Sequence, residues 1–100
     1  MPVSPSIERV RAALRRELPM LSARYGVAEL GLFGSVAREE SRPDSDLDLL
    51  VSFTDPPSLL RFVELEQYLT DLLGLKVDLV MRKTLKPGVA ERVLAELVPV

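Results

Sequence analysis

Three short apolar runs, Val27–Phe33, Leu47–Phe53 and residues 75–81, alternate with longer segments whose apolar residues recur every three or four positions. The first pattern suits strands, whose side chains alternate between two faces, and the second suits helices of 3.6 residues per turn. Ile7, Val10, Leu14, Leu18 and Leu21 predict an amphipathic helix over residues 6–25, with Pro5 suited to its first turn and Gly26 to its end. Pro19 removes a backbone hydrogen bond inside that span, which is expected to kink or split the helix near Leu18. Gly34 stops the first strand. A helical turn over residues 35–40 then gives way to the polar loop SRPDS, and TDPPS breaks the second strand. Leu59, Phe62, Leu65 or Glu66, Leu69 and Leu72 or Leu73 trace a further helix ended by Gly74, and Val89, Val93, Leu94 and Leu97 mark a closing one after Pro87-Gly88.

This order predicts an α+β chain: a small mixed sheet of three strands with helices packed mainly on one face, the helix after Ser58 crossing between the second and third strands. One hundred residues suffice for a single domain over 1–100 with a real core. The absence of cysteine and histidine excludes disulfides, thiolate zinc sites, imidazole ligation and Ser-His-Asp catalysis, so carboxylates are the remaining acid-base and ligand inventory. The net charge of −2 hides a gradient, in which residues 26–81 carry eleven acidic against four basic side chains. A pI of about 5.1 argues against unaided binding to nucleic acid. No apolar run approaches a membrane span and no signal-peptide pattern opens the chain, so a cytoplasmic address is expected.

Against that background three aspartates stand out. Asp46 and Asp48 are two apart in a strand, so they project from the same face about 6.6 Å apart at their backbones, while Leu47, Leu49 and Val51 face the core. In the third strand the same alternation turns Val77, Leu79 and Met81 inward and Asp78 outward. If the two strands are neighbours, three carboxylates converge. Two carboxylates about 5 Å apart repel by roughly 3 kcal/mol at an effective dielectric near 20, which invites a compensating cation. Magnesium fits, since it takes carboxylate and phosphate oxygens. The bland alternative is a solvated strand face, and Asp44, within Pro43-Asp44-Ser45, reads as a turn residue. A calcium loop beginning at Asp44 fails, because its sixth position is Leu49 where Gly is needed and its twelfth is Asp55 where Glu is needed.

Gly34 permits close backbone approach to a ligand, and Ser35 opens a helical turn whose free N–H groups favour an anion such as a triphosphate, although a strand-ending Gly before a capping Ser is also a common structural device. Arg38, one turn on, either reaches a phosphate or pairs with Glu39 or Asp44. The basic first helix, with Arg9, Arg11, Arg15 and Arg16, is either a docking surface or a solvated face.

The segment GSVAREESRPDSDLDLLV resembles the nucleotidyltransferase superfamily that includes DNA polymerase β, with its Gly-Ser, spacer, Asp-x-Asp in a strand, and third carboxylate on a later strand. It is most similar to the minimal nucleotidyltransferases of prokaryotes, and the likeness covers residues 27–81. Glu39 departs from it, standing where many relatives have Gly. The resemblance implies the nucleotidyltransferase fold and transfer of AMP, or another NMP, from ATP. Gly34, Ser35 and Arg38 would hold the nucleotide's phosphates. Asp46 and Asp48 would hold Mg2+, with Asp78 completing a two-metal site or taking the acceptor's proton. Larger relatives carry a further domain for the acceptor, so here a partner is expected to bring it. The resemblance implies a HEPN-type toxin, with this chain as its antitoxin and a homo- or hetero-oligomer as the setting. The competing expectation is a module of the same fold that neutralises its partner by contact, with little or no catalysis.

Overall fold

The computed structural model describes residues 6–38, 40 and 46–100, so the readings on Pro5, Glu39, Asp44 and the SRPDS loop lie outside the described residues. Helix α1 (Ile7–Tyr25) leads into strand β1 (Val27–Phe33), the short helix α2 (Gly34–Ala37), strand β2 (Leu47–Phe53) and helix α3 (Leu59–Leu73). Strand β3 (Val77–Met81), a 3-10 turn over Arg82–Thr84, helix α4 (Pro87–Glu96) and strand β4 (Val98–Pro99) follow.

The sheet has four strands in the order β3-β2-β1-β4, one more than the sequence predicts. The extra strand pairs only Val98 and Pro99, with Leu32 and Gly31 of β1, and two residues are too few to display an alternation. β1 runs antiparallel to both β2 and β4, whereas β2 and β3 are parallel and joined by α3, as the crossover reading requires. The fold is therefore α+β with a mixed sheet.

One face of the sheet carries the core. Leu47, Leu49 and Val51 of β2 are fully buried and join Val77 and Leu79 of β3, Leu14 and Leu21 of α1, and Leu65 and Leu69 of α3. Met81, predicted inside, is half-buried at the margin. Of the kink or split expected at Pro19, the split does not occur, and α1 runs unbroken through it. Pro19 lies on the exposed side, and the turns flanking it are pinned by Leu14 and Leu21, so burial outweighs one lost hydrogen bond. The helix closes at Gly26, whose φ of 72° is the left-handed conformation of a C-cap.

α3 does more than bridge strands. Ser58 caps it by accepting from the Arg61 N–H at 3.2 Å. β3 is an edge strand, and α3 satisfies two of its backbone donors: the Val77 N–H donates to Thr70 Oγ1 at 3.2 Å and the Leu79 N–H to Glu66 Oε2 at 2.9 Å. Leu65 is thus the core residue and Glu66 the edge cap. Leu59, expected on the apolar face of this helix, is 79% exposed.

The C-terminal residues are strapped back onto the opposite side. The Val100 N–H donates to the Leu30 carbonyl at 3.0 Å, Arg11 Nε donates to the Pro99 carbonyl at 3.0 Å, and Arg15 donates twice to the Val100 carbonyl at 3.0 and 3.2 Å. Two of the five arginines of α1, Arg11 and Arg15, therefore fasten β4.

Candidate active site

The parallel register sets Asp48 beside Asp78. Neighbouring strands lie about 4.8 Å apart, so the two carboxylates leave adjacent backbones on the face opposite the core. Asp78 is exposed and Asp48 half-buried, while Leu47, Leu49, Val77 and Leu79 on either side of them are buried. Asp46 is exposed immediately before β2, its Oδ2 4.0 Å from Lys76 Nζ, a loose and solvent-screened contact.

β1 ends at Phe33, the register partner of Asp48, so the chain must turn away beside that carboxylate. Gly34 makes the turn at φ 77°, where a side chain is strained, and a Cβ there would collide with the Asp48 carboxylate. Glycine is required by the aspartate's proximity as well as by the dihedral. Ser35 and Val36 continue α2 from Gly34, with Val36 buried as its anchor.

Burial in the first place, then the charges of Asp78 and Asp46, raises the Asp48 carboxyl above its ordinary value. The carboxylates thus feel one another across the sheet face. Among the described residues no group of three or more such side chains is gathered tightly enough to enclose a metal ion alone. Magnesium does not need that, since it is usually held by one or two carboxylates together with substrate phosphates and water. An all-oxygen pair in register, open to solvent on one side, fits that ion.

The Glu39 and Asp44 alternatives for Arg38 lie outside the described residues. Among the described residues its Nε donates to Glu40 Oε2 at 3.2 Å, and Nη1 donates to Glu96 Oε1 and Oε2 at 3.3 and 3.2 Å. These bonds, Glu40 first and Glu96 second, raise the Arg38 pKa. Glu96 also accepts from the Gly34 N–H at 3.1 Å. It lies 62 residues from Gly34, and no motif links the two. An open cleft of about 260 Å³ lies between Gly34, Arg38 and the α4 residues Arg92, Val93 and Glu96.

Residues 7–100 match the nucleotidyltransferase domain family. The chain belongs to that family. This nucleotidyltransferase is 50% identical over 93 residues to the protein adenylyltransferase MntA of Thermococcus cleftensis, covering 93% of this chain and 94% of that protein. A solved structure described as a candidate minimal nucleotidyltransferase is 44% identical, with a TM-score of 0.80 over 96% of this chain and 97% of that one. The same fold, at 23% identity and a TM-score of 0.60, occurs in the structure of the tri-AMPylated Shewanella oneidensis HEPN toxin in complex with MNT antitoxin, where 92% of this chain and 66% of that one are covered. The nucleotidyltransferase is thus similar to relatives along nearly its whole length. No helix among the described residues is long and apolar enough to cross a membrane.

Proposed function

We propose that this nucleotidyltransferase moves AMP from ATP to a hydroxyl of a partner protein, a HEPN-type toxin, and so acts as its antitoxin in the cytoplasm, with residues 1–100 forming one domain. The observation that carries the reading is the Asp48-Asp78 register pair with the Gly34 turn pressed against Asp48. Asp46, Asp48 and Asp78 are the residues suited to hold Mg2+, which when bound supplies positive charge to the triphosphate and to the leaving pyrophosphate. Gly34 and Ser35 present the turn that takes the β and γ phosphates, and Arg38 adds a fork of donors beside it. Asp78, which is open to solvent, either completes that metal site or takes the acceptor's proton. In the reaction the acceptor oxygen bonds to the α phosphorus, the bond from that phosphorus to the bridging oxygen breaks, and pyrophosphate leaves.

Support for a protein acceptor comes from the protein adenylyltransferase at 50% identity. The exposed side of α3 is consistent with a protein neighbour: Leu59, Leu60 and Val63 are 79%, 69% and 51% exposed, an apolar strip of the kind that partners cover.

The test is incubation with α-labelled ATP and Mg2+ plus a HEPN protein encoded beside this gene, comparing wild type with Asp46→Asn. Label on the partner with wild type, and none with the variant, is the expected result. Equal neutralisation of the partner by both proteins, with no label on it, would replace the enzyme by a contact-only antitoxin.

A further inference from the structure

The donors expected to meet a nucleotide's phosphates already have an anion. Gly34 N–H and the Arg38 guanidinium both donate to Glu96, at 3.1 to 3.3 Å. The carboxylate takes both ends of the arrangement at once: Oε1 receives the backbone N–H, and both oxygens receive Nη1 of Arg38. A carboxylate and a phosphate present similar oxygens to such donors, so each competes for what the other uses.

The placement of Glu96 is not accidental to one side chain. It ends α4, and the next turn of chain is fixed: Val98 and Pro99 pair with β1, and Leu97 lies over Gly31, where a Cβ would come within 2.7 Å of its Cδ1. The C-terminal strap thereby carries Glu96 to the Gly34 turn. Its negative charge also adds to the acidic side of the site, since Glu96 is among the groups that disfavour ionisation of Asp48. A triphosphate arriving there meets one more like charge and two donors already engaged.

We infer that Glu96 is an in-chain occupant of the phosphate seat, which nucleotide must displace, and that it thereby sets nucleotide affinity. The inference rests on the proposed reading of the Gly34 turn as that seat. The opposite role is equally concrete: Glu96 would position Arg38 for phosphate, and its loss would weaken binding.

Glu96→Gln separates the two. It keeps the size of the side chain and one acceptor for the Gly34 N–H, but removes the charge and the ion pair. The probe is AMP-PNP with Mg2+, titrated calorimetrically into wild type, Glu96→Gln, Glu96→Ala and the control Glu91→Gln, which alters an exposed charge on the same helix. Both Glu96 variants should bind about fivefold more tightly than wild type, the scale of one partly screened like-charge contact. The control should match wild type, and the gain should shrink as salt is raised. Binding by either Glu96 variant that is unchanged or weaker overturns the inference and assigns Glu96 to positioning Arg38. An equal gain in Glu91→Gln overturns it as a bulk charge effect. Failure of wild type itself to bind AMP-PNP overturns it along with the reading of the seat, and that outcome is visible before any variant is compared.

Discussion

At the scale of single residues, Gly34 and Asp48 are one problem solved twice. The turn needs a left-handed residue, and the carboxylate leaves no room for a Cβ. Gly34→Ala should therefore cost about 1–3 kcal/mol in stability by thermal or urea unfolding, and displace Asp48 enough to lower transfer about 100-fold in a label assay. The sign of the Asp48 titration follows from its surroundings. Its folded pKa is raised above the ordinary 3.8, so the folded state holds the proton more tightly than the unfolded chain does. The favourable contribution is complete below that ordinary value and is lost as pH rises through the folded one. Metal-free Asp48→Asn should then be more stable than wild type at neutral pH, by up to about 1 kcal/mol once solvent screening is allowed for, and the gap should close as the solution is acidified. Melting curves across that range measure both. Catalysis moves the other way, since a carboxylate that holds a metal works ionised, and activity should fall off in acid as that carboxylate takes up a proton.

Among the elements, α1 and α3 succeed against or beyond their local signals. Pro19 sits in a continuous helix at a cost that burial of Leu14 and Leu21 offsets. Replacing it with alanine restores a backbone donor and relieves the ring's clash, so Pro19→Ala should raise stability by about 1–3 kcal/mol in denaturant melts. In α3, Glu66 answers the Leu79 N–H at the sheet edge. Glu66→Ala should cost about 1–2 kcal/mol, because a half-buried donor loses its partner. It should also increase self-association by light scattering, since an uncapped edge strand is a template for another.

Across the whole molecule, ligand and stability are linked. A nucleotide with Mg2+ at a hundred times its dissociation constant should add about 2.7 kcal/mol to wild type, visible as a shift of several degrees in melting temperature and reversed by a chelator. Asp48→Asn should show little of that gain. What the sequence determined by itself is what depends on near neighbours: the bounds of β1 and β2, the inward leucines, the outward aspartates, and the crossover that makes β2 and β3 parallel. Side-chain period and residue chemistry are local properties, and they were legible locally. Only tertiary structure decided the rest. The two-residue β4, the strap from Arg11 to Pro99 across 88 positions, and the meeting of Glu96 with Gly34 across 62 all join residues that no periodicity connects. Such contacts are chosen when the core closes, because burying the shared apolar face fixes which distant polar groups come within bonding reach.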